Sequence, residues 1–113
     1  MSFFILKINN YMNIEKLIKD ISTDTTVFFH TFGQVDDVII AKSHFLDFHF
    51  GPTCVAIALD YTLPGPKVTE YSKKHLPILF DYNEENFYDR LVDSVVEIET
   101  KLIGAEYQDE NRE

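Results

Sequence analysis

The C-terminal third of this 113-residue chain carries the pattern that most constrains its fold. Between residues 83 and 103, apolar side chains recur at intervals of four, four, three and four residues, the spacing of one helix face: Phe87, Leu91, Val95, Ile98 and Leu102. Asn83 is predicted as the N-cap of this helix, and Gly104 as the residue that ends it. Because a helix with one apolar face must bury that face, the rest of the chain has to supply a second apolar layer.

The preceding chain has mainly the pattern of short strands. Residues 53–61 alternate bulky and small apolar side chains, which predicts a central strand with a helix packed on its small side. Residues 25–32 and 35–41 predict a hairpin with Gly33 and Gln34 as its turn, because glycine accepts a positive φ. For residues 35–41 a short helix is the alternative, since their apolar side chains also fit a helical period. Further strands are predicted at residues 2–8, 44–50 and 78–82.

Two shorter helices are predicted from their start and stop signals. Asn13 is a suitable N-cap for a helix that ends near Ser22. Pro66 can open a second helix that runs to about His75, because Pro77 prevents its continuation.

Together these elements predict an α+β domain over residues 1–104. Because most strands follow one another as hairpins, we expect an antiparallel sheet of about five or six strands and two or three helices, with the long C-terminal helix packed on the sheet. Residues 105–113 are polar and are predicted to form a frayed tail. Aromatic residues on neighbouring strands are too many for one face, so either helices cover both faces or some aromatic surface is exposed.

The negative charge is concentrated at the C-terminal end. The chain has 19 Asp and Glu against 10 Lys and Arg, for a net charge of −9. Residues 1–80 contain eight acids and seven bases, whereas residues 81–113 contain eleven acids and three bases. Binding to nucleic acid or to an anionic membrane is disfavoured, because both require clusters of Lys and Arg.

The N-terminus has neither the charge nor the length of apolar run that a signal peptide or membrane span needs, so a cytoplasmic location is expected. Cys54 is the single cysteine, which rules out an internal disulfide and a paired-cysteine metal motif. Its small apolar neighbours favour a structural thiol over a nucleophile, which would need an accessible, electropositive setting. No catalytic or cofactor motif occurs, so we expect neither an enzyme nor a cofactor.

Four acids of the predicted C-terminal helix recur at four-residue intervals: Glu85, Asp89, Asp93 and Glu97. They would form one acidic edge, and like charges at this spacing destabilise a helix by roughly 0.2–0.5 kcal/mol per pair. A solvated outer face is the ordinary explanation. The near absence of interleaved lysine favours a second one, a docking surface that steers a basic partner toward the chain.

Five further residues are predicted as partner contacts on other segments. Asp36 and Asp37 add negative charge near the predicted hairpin. Phe45, Asp47 and His49 alternate along residues 44–50 and would share one strand face, opposite to His44. A metal site built on these histidines is disfavoured, because this strand offers two ligands on one face and a zinc site needs three or four.

In size, acidity, α+β pattern and lack of catalytic motifs, the chain resembles the small acidic immunity proteins of bacterial polymorphic-toxin and contact-dependent inhibition systems. The resemblance implies a non-catalytic inhibitor that neutralises a basic toxin, with a nuclease as the natural target because its substrate groove is cationic. One alternative is a phage or mobile-element protein that inhibits a host nucleic-acid enzyme by charge mimicry. Another is a ligand-binding domain or small enzyme with an aromatic-lined pocket that uses His30, His49 or Cys54.

Overall fold

Over the residues that the structure describes, the chain folds into a five-stranded antiparallel sheet with three helices, which confirms the predicted α+β class. The computed structural model describes residues 13–60 and 65–111, and the strand predicted at residues 2–8 lies outside them. The strands lie in the sheet in chain order, each antiparallel to the next. The elements are α1 (Ile14–Thr25), β1 (His30–Val35), β2 (Val38–Lys42), β3 (Leu46–Phe50), β4 (Cys54–Leu59), α2 (Pro66–His75), β5 (Ile78–Asp81) and α3 (Phe87–Glu110).

The core lies between one face of the sheet and the helices. The sheet contributes the bulky side chains of its three C-terminal strands, among them Phe48, Ile57 and Phe80, each at most 2% exposed. The apolar face of α3 packs in the same cluster, with Leu91 and Val95 fully buried. The stripe predicted from the sequence is therefore the surface that joins α3 to the rest of the core.

The other face of the sheet is not covered by any of the described helices. Strand register places Ile40, His49, Ala56 and Leu79 in one row across it, and Leu79 is 67% exposed. A helix was predicted on the small side of residues 53–61, but the described helices pack on the bulky side of β4, where more apolar area can be buried.

The first hairpin turns at Asp36 and Asp37, and the prediction of a turn at Gly33 and Gln34 is wrong. Val35 pairs with Val38, and Asp36 takes the positive φ (56°) that the tight turn requires. The Gln34 side chain donates a hydrogen bond to the Asp36 carbonyl oxygen (2.9 Å). Gly33 instead follows a register shift inside β1, where a glycine accommodates a β-bulge. Residues 38–42 are a strand, which settles the alternative left open for 35–41.

The N-terminal helix begins where predicted and ends later. The Asn13 side chain accepts a hydrogen bond from the Lys16 amide (3.0 Å), as an N-cap does. The helix continues past Ser22 to Thr25, so the strand predicted at residues 25–32 is wrong in its first half. The Thr25 hydroxyl donates to the Ile21 carbonyl oxygen (2.6 Å), which satisfies this polar group where Thr25 is buried.

Helix α3 is displaced toward the C-terminus relative to the prediction. Its N-cap is Asn86, with φ 62°, because the backbone turns first after β5: the Asn83 amide bonds to the Asp81 side chain (2.8 Å). The helix also continues through Gly104 to Glu110, so Gly104 does not end it and residues 105–110 are helical rather than frayed.

The side chain of Asp109 joins the end of α3 to the start of α2. Its two carboxylate oxygens accept the backbone amides of Lys67 (2.8 Å) and Val68 (3.2 Å). The N-cap position of α2 is Gly65, which has no side chain to satisfy these amides, so Asp109 fills that role from another helix. This capping contact stabilises the last turns of α3 and explains why the helix continues past Gly104.

Candidate docking surface on the C-terminal helix

An acidic line runs along the solvent side of α3. Asp89, Asp93 and Glu97 lie at four-residue spacing and are exposed, whereas Leu91 and Val95 between them are buried. Within the part of the chain that the structure describes, none of the three carboxylates has a hydrogen bond or an ion pair. We call these three residues the acidic line.

Glu85 is not part of the acidic line, contrary to the prediction. It precedes the N-cap Asn86, whose left-handed backbone separates it from the helical spacing. Glu85 is nevertheless exposed at the N-terminal end of α3, where a negative charge is favourable beside the helix dipole. The neighbouring Glu84 pairs with Arg90. An acid at this end of the helix therefore has a basic partner, whereas the acids of the acidic line have none among the described residues.

Helix α1 adds acids on one flank of the acidic line. The hydroxyl of Tyr88 donates a hydrogen bond to Asp24 (2.5 Å). Burial raises the pKa of Tyr88, and the hydrogen bond and the carboxylates of Asp24, Asp20 and Asp89 raise it further. Three carboxylates from two helices therefore converge around one phenol, so the negative field is wider than α3 alone would produce.

Helix α2 lies on the opposite flank and carries the opposite charge. Its ten residues include Lys67, Lys73 and Lys74 against the single acid Glu70. Burial raises the pKa of Tyr71, and the carboxylate of Glu97 adds to that effect, which places the end of the acidic line beside α2. The negative surface is therefore bounded on this side and extends toward α1.

The acids in the C-terminal half of α3 behave differently, because each of three has a partner within the chain. The Ser43 hydroxyl donates to Glu99 (2.9 Å), and His44 Nε2 lies 3.1 Å from a carboxylate oxygen of Glu106. Asp109 caps α2. These three residues tie the β2–β3 loop and α2 to α3.

A cleft of about 580 Å³ opens beside the acidic line, between the end of α1, the first two strands and α3. Its α3 wall is formed by Val96, Glu99, Thr100 and Ile103. Val96 follows Asp93 by three residues and Thr100 follows Glu97 by three, so the cleft and the acidic line are neighbours on the helix surface. Across from them lie the residues that follow α1, including Phe28, which is 79% exposed.

Glu99 is the buried acid of this cleft, at 7% exposure. Burial raises the pKa of its carboxyl, and the Ser43 hydrogen bond and nearby His44 lower it only in part. Ser43 in turn accepts the Leu46 amide (3.0 Å), so the loop is held in place around the carboxylate. The Ser43 hydroxyl is the hydrogen-bond donor that Glu99 has among the described residues, which leaves its second oxygen able to accept from a ligand.

The other predicted partner contacts lie in two separate places. Asp36 and Asp37 are exposed at the β1–β2 turn, three or more strand spacings of about 4.8 Å from the β5 edge that leads into α3. Asp47 and His49 share the uncovered sheet face, as predicted, and Asp47 pairs with Lys42 (2.7 Å). This face is opposite to α3, so these residues cannot join the acidic line in one flat contact.

The prediction that Phe45 shares a face with Asp47 and His49 is wrong. Strand β3 begins at Leu46, so the alternation does not extend back to Phe45. Phe45 is 5% exposed and stacks edge-on against His44, which leaves it in the core rather than at an interface. Tight burial of a large aromatic side chain at the start of a strand overrides the period-two pattern here.

The histidines considered for a metal site are dispersed. His44 pairs with Glu106, whereas His49 lies on the uncovered sheet face between Ile40 and Ala56. Within residues 13–60 and 65–111, no group of three or more His, Cys, Asp or Glu side chains converges closely enough to hold a metal ion. Cys54 is half-buried on the same sheet face, opposite Asp81 in register.

Sequence reasoning missed the contribution of α1 and the cleft. Asp20 and Asp24 stand four residues apart on a helix, a spacing that was available as a signal, but their approach to Asp89 depends on how α1 packs on α3. The pairing of Ser43 with Glu99 spans 56 positions and had no local signal. Among the described residues, no helix combines the length and apolar character needed to cross a membrane.

Comparison with protein-family models, with curated proteins and with solved structures finds no match to this chain. What the chain does therefore has to be inferred from its own residues.

Proposed function

We propose that this chain is a non-catalytic inhibitor that binds a basic protein through the acidic line on α3 and the acids of α1 beside it. The observation that carries the proposal is that Asp89, Asp93 and Glu97 are exposed, repel one another and have no ion pair among the described residues. Such an arrangement costs the helix a fraction of a kcal/mol per pair and is relieved when an outside cation arrives.

The surrounding charges favour the same mode of binding. Helix α1 widens the negative field through Asp20 and Asp24, whereas the lysines of α2 border it on the other side. A basic surface approaching the chain would be steered toward α1 and α3 and away from α2, which orients the complex before contact.

Exposed apolar side chains next to the acidic line provide the apolar contact area that a stable interface needs in addition to charge. Val96 is 42% exposed and Ile103 58%, and both lie on the cleft side of α3 near Phe28. Stable interfaces combine an apolar, well-packed centre with a charged rim, and this part of the surface offers both.

A toxin of the nuclease class is the partner that fits these requirements best, because a groove that binds phosphates presents clustered Lys and Arg. The chain would act in the cytoplasm of the cell that produces the toxin. The alternative function, inhibition of a host enzyme by imitation of nucleic acid, would use the same acidic surface of this chain. The identity of the captured partner, a toxin or a host protein, distinguishes the two functions.

The test captures partners from cells that make the chain, with the wild type and with a variant carrying Asp89→Lys, Asp93→Lys and Glu97→Lys. A matched control carries Glu15→Lys, Glu70→Lys and Glu110→Lys, which changes net charge equally at exposed sites away from the acidic line. The captured protein is then purified, and its affinity for each variant and its own enzymatic activity are measured.

We expect the reversal on the acidic line to weaken binding by about 100-fold or more, because each lost attraction becomes a repulsion, and every 1.4 kcal/mol is a factor of ten. The control should bind within a few-fold of the wild type, and the wild type should inhibit the partner's activity in a one-to-one complex. Equal binding by the two triple variants would contradict the proposal.

A further inference from the structure

The cleft beside the acidic line has the shape and chemistry of a pocket for one cationic side chain. Its volume of about 580 Å³ lies within the range of ligand pockets, and it is open to solvent next to Val96 and Ile103, both exposed. A carboxylate lies at its wall and an aromatic ring at its edge, contributed by Glu99 and Phe28.

Glu99 is the feature that the fold alone does not explain. Glu99 is 7% exposed as a whole residue, and a carboxylate in such a setting ordinarily has several hydrogen bonds or a cation, because an ionised group loses hydration when water is excluded. Glu99 has one neutral donor, the Ser43 hydroxyl at 2.9 Å. A cation placed in the cleft would supply the missing partner.

The cations already in the neighbourhood are occupied elsewhere. Lys42 also lines the cleft, and its ammonium lies 2.7 Å from Asp47 and 3.8 Å from Asp60. His44 faces Glu106 at 3.1 Å. His30 also lines the cleft and is exposed. The carboxylate of Glu99 therefore has no ion pair among the described residues, although His44 is near enough to lower its pKa in part.

We propose that this cleft receives one arginine side chain of the basic partner, with Glu99 as its counter-ion and Phe28 stacked on the guanidinium plane. The proposal rests on the function proposed for the acidic line and specifies the anchor at its centre. Arginine fits better than lysine, because its planar fork can donate to a carboxylate while its face lies on an aromatic ring. Its aliphatic stem would pack on Val96 and Ile103.

The geometry matches that of interface anchors. Such residues are enriched in arginine, enter desolvated pockets near the centre of a contact and are surrounded by a rim of weaker contacts. Here the acidic line would attract the partner over distance, and the cleft would fix the position of a single residue within the bound surface.

The direct test is a titration of the full chain with blocked arginine amide, followed by amide chemical shifts. The neutral isostere, blocked citrulline amide, is the ligand control. We expect shifts at Phe28, Val96, Glu99 and Ile103 with arginine and at least tenfold weaker binding with citrulline. Absence of shifts around the cleft would overturn the proposal, and so would equal binding of the two ligands.

Glu99→Gln is the informative variant, because glutamine can still accept the Ser43 hydroxyl and keep the loop in place. Arginine amide binding should fall at least tenfold, whereas Glu110→Gln, at an exposed site outside both the cleft and the acidic line, should leave it within about twofold. Phe28→Ala is a second variant at an exposed site and should weaken binding several-fold. Unchanged binding by both cleft variants would overturn the assignment. Tighter binding of a free small amine than of arginine amide would do the same, in favour of a small-molecule site.

The captured partner separates this inference from the function on which it rests. If the charge reversal on the acidic line lowers the affinity for the captured partner but Glu99→Gln does not, the pocket assignment is wrong and the docking surface stands. If Glu99→Gln lowers the affinity for the partner and the charge reversal does not, the acidic line has no docking role and the cleft is the binding site by itself.

Discussion

The two halves of α3 contain the same residue types and use them differently. In the C-terminal half, Glu99, Glu106 and Asp109 each contact a group from another part of the chain. In the N-terminal half, Asp89 and Asp93 have no hydrogen bond or ion pair with any described residue. An acid that faces a loop or another helix affects the stability of the fold, whereas one that faces solvent beside other acids is available to a partner.

This difference separates structure from function within one element. Substitution in the C-terminal half should change stability, and at Glu99 partner binding as well. Neutral substitution of Asp93 or Glu97 should change partner binding while leaving stability the same or slightly higher. Four substitutions with different expected effects on stability test this division.

The largest change is expected for Asp109→Ala, which removes the acceptor for the first amides of α2. Loss of a helix cap costs about 1–2 kcal/mol, so the free energy of unfolding should fall by that amount in a denaturant titration. Glu110→Ala is the matched control, because Glu110 is exposed and has no cap to make, and its effect should be within about 0.5 kcal/mol. Equal losses of stability in the two variants would mean that Asp109 does not stabilise the fold as a cap of α2.

The second change is a gain that depends on pH, for Glu99→Gln. Burial raises the pKa of Glu99, so the folded state holds this proton at pH values where the unfolded state has lost it. The stability of the wild type should therefore decrease as pH rises from the unfolded pKa through the folded one. The glutamine variant lacks this decrease, so it should exceed the wild type at neutral pH and approach it near pH 4. A constant difference across this range, measured by urea unfolding, would contradict the role of burial.

The third change is a gain for Gly104→Ala. Glycine inside a helix costs about 0.5–1 kcal/mol relative to alanine, and a Cβ at this position meets no atom within 4 Å. Thermal and denaturant unfolding should both show a gain of that size. A loss instead would mean that the helix ends near Gly104 and that the Asp109 cap does not form.

The smallest change is expected for Asp93→Asn, in the middle of the acidic line. It removes the repulsion with Asp89 and with Glu97, so stability should rise by a few tenths of a kcal/mol, more at low salt than at high salt. Glu97→Gln removes one such repulsion but also the attraction of Lys101 four residues further on, so its gain should be smaller or absent. A clear loss of stability in either variant would mean that these acids contribute to the stability of the fold, as the acids of the C-terminal half do.

Local patterns in the sequence predicted the parts of the fold that depend on local chemistry. The apolar stripe of α3, the Asn13 cap and the Pro66 start were each confirmed, because spacing and capping act over a few residues. The hairpin turn and both ends of α3 were predicted wrongly. At the turn, Asp36 could take a positive φ and compete with Gly33. At the end of α3, a contact with α2, 41–42 residues away in the chain, outweighed the tendency of Gly104 to end a helix.

The candidate site divides in the same way. Asp89, Asp93 and Glu97 could be predicted from helical spacing, because an amphipathic helix exposes whatever lies opposite its stripe. Phe45 was predicted wrongly, since a strand pattern was extended one residue beyond the strand. Glu99 could not be assigned to a cleft, because its burial depends on α1 and on the β2–β3 loop, which come from distant parts of the chain.

The most direct measurement is the affinity of the purified partner, by titration calorimetry at low and high salt, for the wild type and for the triple charge reversal at Asp89, Asp93 and Glu97. We predict a wild-type affinity that falls as salt is added, and a loss of about 100-fold or more in the reversed variant, whose unfolding transition must show that it is still folded. An unchanged affinity in the reversed variant, or a loss matched by the control reversal at Glu15, Glu70 and Glu110, would contradict it.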